Sequence, residues 1–505
     1  MTTTRERLEE SGGPLLSVLA GGMLALGMLG GVVLPSDAPP VAQASPAPAQ
    51  VGQWSTPLPL PLVAVHAALL ANGHILAWDG QTWGYTSIVL DPLTGVTTPL
   101  APPVSNVFCT GLCALPDGRI FVAGGHGDVN GHVGVTNLNL FDPIGQRWTT
   151  AAPMAYPRWY PTVTALPDGR MLVTAGEMNG DRDVAVVPEI YDPRTNQWTS
   201  LEGAALDLPY YPHMFVLPDG RLLAASTTED AIETFALSLP TQTWTVIDPI
   251  PVDGGSAVQY LPGKILKAGT SADSDPPYFP SAPTAYVLDM TSPAPAWRPT
   301  GSMAFARTYL NLTLLPDGTV LATGGGASTD PGGLPGAVHA AEIWSPTTET
   351  WTTMASMQAP RLYHSTALLL QDGRVITMGG GRFFGPPESE QFSAEIFSPP
   401  YLFKGLRPIL ASVPLTATYG TVMPVGTPDA ARIASVALLK LGTVTHAFNQ
   451  EQRYVPLAFT HGVGRLNVQM PLSPNLAPPG YYMLFIVDTT GVPSVGAIFH
   501  VQATP

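Results

Sequence analysis

The sequence has few cysteines and few charged side chains, and each scarcity excludes a class of protein. Its 505 residues include only two cysteines, Cys109 and Cys113, so a disulfide scaffold is excluded. Lysine and arginine number 22 against 37 acidic residues, and the net charge of −15 argues against binding nucleic acid or anionic membranes through a basic patch. Charged residues make up 12% and hydrophobic residues 45% of the chain, which excludes a disordered polypeptide.

Glycine and proline are abundant, with 51 and 55 residues, and they punctuate short apolar runs. The phrase Leu-Pro-Asp-Gly, once as Leu-Gln-Asp-Gly, recurs at 115–118, 166–169, 217–220, 315–318 and 370–373. Asp-Gly between two apolar runs is a strong hairpin signal. With looser turns at Asn72-Gly73 and Pro262-Gly263, the chain has seven units, most with glycines after the second strand and a later tryptophan. This pattern predicts an all-β protein, a seven-bladed kelch-type β-propeller over residues 45–405.

The repeat stops near residue 405, and the rest of the chain has a different pattern. Residues 406–505 contain alternating apolar runs such as SVALLKL (435–441) and YYMLFIVD (481–488). Such runs over about a hundred residues predict a small immunoglobulin-like β-sandwich domain.

The N-terminal segment, residues 1–44, has the pattern of a targeting sequence. Arg5 and Arg7 precede a largely apolar run over residues 14–34, and Val41-Ala42-Gln43-Ala44 fits the small-x-small pattern of a cleavage site. The run is long for a signal peptide and almost long enough to span a bilayer. We therefore expect either a cleaved signal or a membrane anchor, followed by a linker. The protein would then be secreted, or anchored to the outer side of the cytoplasmic membrane.

One position of the repeat carries chemically reactive side chains. Eight residues before each turn aspartate stand Cys109, Tyr160, Tyr211, Tyr309 and His364, the last directly after Tyr363. Because the first strand of each propeller blade lines the central channel, these side chains should meet near one mouth of the channel. Each alone has an ordinary explanation, such as packing for a tyrosine, or a buried structural role for the cysteine or the histidine. Their joint occurrence instead indicates a metal or radical site.

His446 is a further candidate, because it lies outside the repeat in GTVTHAFNQEQRYVPL (442–457). Its neighbours predict a strand end or a hairpin tip. A hairpin from the C-terminal domain could enter the channel and bring His446 to the other candidates.

Four segments resemble, in order, those of the copper radical oxidases, the galactose oxidase/glyoxal oxidase family. They are Phe108-Cys109-Thr110-Gly111, Arg158-Trp159-Tyr160, Arg361-Leu362-Tyr363-His364-Ser365, and Thr445-His446 with Asn449-Gln450-Glu451-Gln452-Arg453. The Arg-Trp-Tyr form is closer to glyoxal oxidases than to galactose oxidase. In galactose oxidase an indole stacks over the radical site, yet residues 177–192 here contain no tryptophan. Trp159 could take that place, or strand alternation could turn it into a sheet core.

The resemblance implies a site and a reaction. One copper ion would be bound by Tyr160, Tyr363, His364 and His446. Cys109 would be joined to Tyr160 by a thioether, which makes a radical cofactor, and Tyr363 would act as general base. The implied reaction is oxidation of hydrated aldehydes, primary alcohols or α-hydroxy carbonyls by O₂, which yields H₂O₂.

Two alternatives to a glyoxal oxidase-like enzyme are also compatible with the sequence. One is a galactose oxidase-like enzyme that oxidises carbohydrates or primary alcohols at the same centre. The other is a non-catalytic kelch scaffold that binds proteins or glycans, although such a scaffold has no reason to keep all five residues in register. The expected partners are therefore a small aldehyde, alcohol or glycan and O₂, with no nucleic acid.

Overall fold

The computed structural model describes residues 46–80, 85–127, 133–180, 182–272, 275–381 and 385–502. The predicted signal or anchor at residues 1–44 lies outside these residues. Within the described ranges, no helix is long and apolar enough to cross a membrane. Helical structure there consists of α1 (Pro48–Val51) and five 3₁₀ turns, Glu202–Ala204, Leu334–Gly336, Pro387–Ser389, Pro400–Phe403 and Ala430–Arg432.

Almost all regular structure is β-strand, as the sequence predicts. Two short strands come first, β1 (Gln53–Trp54) and β2 (Leu58–Pro59). Sheet 1 contains β3 (His66–Leu69), β4 (Ile75–Trp78), β5 (Ser87–Leu90) and β6 (Thr97–Pro99). Sheet 2 contains β7 (Gly111–Ala114), β8 (Ile120–Ala123), β9 (Leu138–Asp142) and β10 (Arg147–Thr150). Sheet 3 contains β11 (Thr162–Ala165), β12 (Met171–Thr174), β13 (Glu189–Asp192) and β14 (Gln197–Ser200).

The same antiparallel meander continues through four more sheets. Sheet 4 contains β15 (Pro212–Val216), β16 (Leu222–Thr227), β17 (Thr234–Ser238) and β18 (Thr243–Asp248). Sheet 5 contains β19 (Ser256–Leu261), β20 (Lys264–Ala268), β21 (Ala285–Asp289) and β22 (Arg298–Pro299). Sheet 6 contains β23 (Asn311–Leu314), β24 (Val320–Thr323), β25 (Ala340–Ser345) and β26 (Thr350–Ser356). Sheet 7 contains β27 (Ser365–Leu369), β28 (Val375–Gly379) and β29 (Ser393–Ser398), completed by β1 and β2.

The first strands of these sheets contact one another in chain order. From β7 to β27 each first strand contacts the next, and β27 contacts β3. Sheet 7 also joins the two ends of this region, because β1 and β2 pair with β29. Every residue of β3, β11, β15, β23 and β27 is buried. The series of first strands therefore forms a buried inner layer.

The C-terminal region adds two sheets of its own. Its strands are β30 (Thr416–Thr418), β31 (Val422–Gly426), β32 (Ile433–Lys440), β33 (Thr443–Thr445), β34 (Phe448–Asn449), β35 (Tyr454–Pro456), β36 (Phe459–Gly462), β37 (Arg465–Gln469), β38 (Gly480–Asp488) and β39 (Ala497–Gln502). One sheet has the order β30-β39-β38-β32-β35, and the other has the order β31-β37-β36. The hairpin β33–β34 belongs to neither, because β33 pairs with β3 and extends sheet 1.

The residues after this hairpin place polar side chains in the inner layer, where they hydrogen-bond to the first strands. Gln450 Oε1 accepts hydrogen bonds from the backbone of β7 and β11, at 3.2 and 3.0 Å. Glu451 accepts one from β7 at 2.5 Å, and the Gln452 amide bonds β23 both as acceptor, at 2.9 Å, and as donor, at 2.6 Å. Unpaired backbone groups at buried strand edges are costly, and these side chains satisfy them.

Buried ion pairs recur at one point of the repeat. Arg158 pairs with Glu189 at 2.9 Å in sheet 3, and Arg307 pairs with Glu342 at 2.8 Å in sheet 6, with all four side chains 0% exposed. Each arginine also donates to two backbone carbonyls, those of Ala175 and Val187 in sheet 3 and those of Gly324 and Ala340 in sheet 6. The pairs therefore link the loop before the first strand to the third strand of the same sheet.

We expect loss of such a pair to be costly. Arg307→Met leaves Glu342 buried without its cation, and the expected loss is about 3–5 kcal/mol of unfolding free energy. Urea denaturation of the variant measures it. The control, Arg119→Met, breaks the half-exposed pair with Asp117 and should cost about 0–1 kcal/mol. Equal losses in the two variants would contradict this account.

Candidate metal centre

The repeat position eight residues before the turn aspartate has a left-handed backbone in five of the sheets. The φ angles are 59° at Cys109, 64° at Tyr160, 47° at Tyr211, 57° at Tyr309 and 67° at His364. These residues lie one or two positions ahead of the first strand of their sheet rather than in it. A left-handed conformation costs a residue with a side chain about 1–3 kcal/mol, so the surrounding structure must hold it in place.

Backbone hydrogen bonds join this position from one sheet to the next. The Tyr160 N–H donates to the Cys109 carbonyl at 2.9 Å, and the Tyr211 N–H donates to the Tyr160 carbonyl at 3.0 Å. The left-handed turns therefore line up three residues that are far apart in sequence. Cys109 and Tyr160 become direct neighbours, as a covalent bond between them would require.

Sheet 7 contributes two reactive side chains because its loop has one extra residue. In sheets 3 and 6 the buried arginine stands two positions before the left-handed residue, whereas Arg361 stands three positions before His364. The extra position holds Tyr363. The Arg361–Glu395 distance is correspondingly longer, 3.6 Å, and Arg361 Nε has no hydrogen-bond partner among the described residues.

His446 lies at the tip of the β33–β34 hairpin, in its two-residue turn. His446 and Ala447 have φ angles of 46° and 63°, as a type I′ turn requires, although that turn usually takes Asn-Gly. The Thr445 hydroxyl donates to the Val65 carbonyl at 3.1 Å and lies 2.5 Å from His446 Nδ1. Its single proton is thereby used, so it accepts from Nδ1–H, and the Nε2 lone pair, which lies 3.6 Å from Cys109 Sγ, faces the cluster and can bind a metal.

The structure brings all five predicted site residues into one buried cluster. Cys109 Sγ and one ring nitrogen each of His364 and His446 lie within 4.8 Å of one another. The hydroxyls of Tyr160 and Tyr363 are 2.7 Å apart, and the Tyr160 ring lies 4.6 Å from the His446 ring. These residues come from sheets 2, 3 and 7 and from the hairpin.

Burial disfavours the charged forms of four of these side chains, His446, Tyr160, Tyr363 and Cys109. It lowers the pKa of His446 well below its usual value, and the nearby His364 and His66 add to the effect. Burial likewise raises the pKa values of Tyr160, Tyr363 and Cys109 well above their usual values. A bound cation would favour both phenolates. Two imidazoles and two phenols form the N,O set that Cu(II) prefers, so the residues fit the implied copper ion.

Aromatic rings surround the cluster. Trp159 stacks on Tyr160 at 3.8 Å with an angle of 20° between the planes, so it lies at the site rather than in a sheet core. Tyr211, which stands at the same repeat position as Cys109 and Tyr160, stacks on His446 at 4.6 Å. Its hydroxyl donates to the Thr110 carbonyl at 3.0 Å. Tyr309 packs on Tyr363 at 4.8 Å.

Sequence reasoning missed one residue of the site, Glu229. Its Oε1 accepts a hydrogen bond from the Tyr363 hydroxyl at 3.4 Å, and the residue is 6% exposed. It lies in the polar segment 226–230, where the other sheets have glycines after their second strand. The replacement of these glycines by polar residues is the feature of the sequence that could have indicated Glu229.

Comparison with known proteins adds the family context. A family model described as galactose oxidase-like, early set domain, matches residues 407–501. A galactose oxidase of Gibberella zeae is 29% identical over 497 residues, which cover 89% of this chain and 71% of the relative. The aldehyde oxidase GLOX of Vitis pseudoreticulata is 26% identical over 470 residues, covering 81% of this chain and 84% of the relative.

A solved structure shares the fold. A fungal alcohol oxidase of the AA5 family, in complex with copper, matches with a TM-score of 0.80 at 24% identity, covering 90% of this chain and 100% of its own. The resemblance to the galactose oxidase/glyoxal oxidase family is confirmed, since the relatives are oxidases of that family.

We expect the Thr445 hydroxyl to set copper affinity through His446. Thr445→Val removes the acceptor that orients the ring, and copper affinity should fall about 10- to 100-fold. Competition with a chromophoric chelator measures it. Thr443 lies on the same strand as Thr445, but its hydroxyl donates to the Leu112 carbonyl of β7 at 3.1 Å. Thr443→Val is therefore the matched control. An unchanged affinity in Thr445→Val would refute this role.

Proposed function

We propose that this protein is a copper radical oxidase that oxidises hydrated aldehydes, primary alcohols or α-hydroxy carbonyls with O₂. For an alcohol the balance is RCH₂OH + O₂ → RCHO + H₂O₂, in which two electrons and two protons pass from substrate to O₂. The observation that supports it most is the buried cluster of Cys109, Tyr160, Tyr363, His364 and His446. The N-terminal pattern supports an extracytoplasmic location, either secreted or anchored to the outer side of the cytoplasmic membrane.

The proposed architecture is a seven-bladed kelch-type β-propeller over residues 45–405 and an immunoglobulin-like domain over 406–505. The contacts of the first strands in chain order, and the pairing of β1 with β29, support a closed ring of sheets 1 to 7. The C-terminal domain would contribute one copper ligand, His446, through its hairpin.

The chain's own residues account for binding and proton transfer. Tyr160, Tyr363, His364 and His446 would hold one copper ion, which supplies a one-electron redox couple when bound. Tyr363 accepts the proton of the substrate hydroxyl at its phenol oxygen. Tyr160, joined to Cys109 by a thioether and held as a phenoxyl radical that O₂ regenerates in each turnover, would take a hydrogen atom from the substrate carbon and so become a phenol. Trp159 covers the Tyr160 ring and keeps water from it.

Specificity closer to glyoxal oxidase is the first candidate, because the indole that covers Tyr160 comes from the Arg-Trp-Tyr segment. A galactose oxidase-like enzyme for carbohydrates or other primary alcohols is the second candidate. It is favoured by the 29% identity with the Gibberella zeae enzyme. A non-catalytic kelch scaffold is disfavoured, since packing alone does not require this set of side chains in strained turns.

Cys109 should be required for activity, and Cys113 should not. Cys109→Ala removes the sulfur that would stabilise the Tyr160 radical, so copper-loaded protein should form at least about 100-fold less peroxide. Cys113→Ala is the control, because that buried thiol lies inside β7, beside apolar side chains and Glu451, and is not part of the cluster. A coupled peroxidase assay measures both. Full activity in Cys109→Ala would contradict the proposed mechanism.

Removal of copper should abolish activity reversibly. Dialysis against a copper chelator should eliminate peroxide formation, because the one-electron redox couple is lost with the metal and the phenolates take up protons. Cu(II) should restore activity, whereas Zn(II), which has no redox couple, should not. Oxygen uptake with an aldehyde and an alcohol measures each step. Recovery with Zn(II) would argue against redox chemistry at this site.

A further inference from the structure

Exposed aromatic side chains collect at one place on the surface. Among the residues that the structure describes, four large aromatic side chains are exposed, and three of them are Tyr278, Phe279 and Phe305, at 43%, 51% and 39%. Tyr278 and Phe279 lie in the loop between β20 and β21, and Phe305 lies in the loop before β23. The two loops run side by side, because the Met303 N–H donates to the Pro283 carbonyl at 2.9 Å. Single exposed aromatic residues are ordinary, but a group of them marks a binding surface.

This aromatic rim, defined by Tyr278, Phe279 and Phe305, lies at the end of the sheets that holds the metal centre. Phe305 stands four residues before Tyr309, which occupies the left-handed repeat position of sheet 6. Ala272, in the loop that carries Tyr278, packs with Tyr309 and Tyr363 in one buried cluster. The same loop of sheet 5 therefore contributes both to the surroundings of Tyr363 and to the rim.

Backbone hydrogen bonds hold Phe279 next to a residue that Tyr309 contacts. The Phe279 N–H donates to Thr329 Oγ1 at 2.9 Å, and the Thr329 N–H donates to the Phe279 carbonyl at 2.9 Å. The Thr329 carbonyl accepts from the Tyr309 hydroxyl at 2.8 Å, and the Tyr309 ring packs on Tyr363 at 4.8 Å. Phe279 is therefore linked through two residues to the phenol that the proposed reaction uses as base. Only its backbone takes part in these bonds, so the ring is available at the surface.

The polar side chains beside the rim hold the loops in place. Ser281 Oγ donates to the Gly326 carbonyl at 2.9 Å, and Ser328 Oγ accepts from the Asp330 N–H at 3.2 Å. A carbohydrate is recognised through hydrogen bonds to its hydroxyls, whereas the exposed groups here are aromatic rings. The composition of the rim therefore favours a flat apolar group over a sugar.

We propose that Tyr278 and Phe279 form a distal subsite that stacks on a planar apolar group of the substrate, beyond the carbon that reacts at Tyr363. The inference rests on the proposed function and narrows its substrate class. It predicts extended aldehydes or primary alcohols that carry an aromatic group at a distance from the reacting carbon. Stacking of that group adds binding energy far from the chemistry and raises kcat/KM.

The test compares kcat/KM for plain and ω-phenyl primary alcohols, and for the matching aldehydes, in copper-loaded full-length protein. The phenyl group is carried on chains of two, four and six carbons. Because two residues separate Phe279 from Tyr363, the phenyl group should help only on the longer chains. There it should raise kcat/KM about 5- to 30-fold, the worth of burying and stacking one ring. Phe279→Ser should remove most of this gain and change the values for plain alcohols less than about 3-fold.

Two variants serve as controls. Tyr278→Phe keeps the ring and should retain the gain. Phe403→Ser removes the fourth exposed aromatic side chain, which is 38% exposed. It follows Tyr401, whose hydroxyl bonds the Gly373 carbonyl in the turn after β27, whereas Tyr363 lies before that strand. Phe403→Ser should therefore leave every ratio unchanged.

A binding measurement separates the possible failures. Saturation-transfer NMR with 6-phenyl-1-hexanol and copper-free protein should show transfer to the phenyl protons in the wild type and much less in Phe279→Ser. No gain from the phenyl group, an equal gain at every chain length, or a gain that persists in Phe279→Ser would overturn the inference alone. Copper-loaded wild-type protein that forms no peroxide with any of these substrates would overturn both the proposed function and the inference.

Discussion

The candidate metal centre depends on the hydrogen bonds that fix the β33–β34 hairpin among the first strands of the sheets. Asn449 Oδ1 accepts from three backbone N–H groups of its own loop, at 3.0 to 3.3 Å. The three side chains that follow satisfy strand edges in sheets 2, 3 and 6. In a buried setting every one of these groups would otherwise be orphaned at a cost of about 1–3 kcal/mol. Hydrogen bonds to sheets 2, 3 and 6 therefore hold the hairpin, and they fix the position of His446 at its tip.

The second constraint is strain at the reactive positions. Five residues ahead of the first strands and two in the hairpin turn have a left-handed backbone conformation. Glycine or asparagine would adopt this conformation at a lower energetic cost. Such strain persists only where the surrounding contacts determine the conformation. Here the contacts are the backbone bonds between neighbouring sheets and the buried arginine–glutamate pairs. The ion pair between Arg361 and Glu395 is longer than its counterparts, because the loop before β27 has one extra residue. That extra residue brings Tyr363 and His364 into the site together.

The sequence allowed prediction of much of this arrangement, because a repeat maps one position onto equivalent points of a structure. The fixed spacing of eight residues before the turn aspartates identified Cys109, Tyr160 and His364. The residues around His446 predicted a strand end or a hairpin tip. The orientation of Trp159 could not be read, since a left-handed residue interrupts strand alternation at Tyr160. Glu229 was missed because its importance arises from a contact between sheets 4 and 7, which local sequence patterns do not contain. The stacking of Tyr211 on His446 was missed for the same reason.

The proposed function requires that Cys109 and Tyr160 form one cofactor beside a copper ion. Mass spectrometry of protein matured with copper in air can detect the bond between them, because O₂ would take up the two hydrogen atoms lost when the thioether forms. After denaturation, reduction and alkylation, we expect a proteolytic fragment in which the segments of Cys109 and Tyr160 are joined and lighter by two hydrogens. Only Cys113 should then carry the alkyl label. Separate fragments with both cysteines alkylated would show that the two residues are not joined.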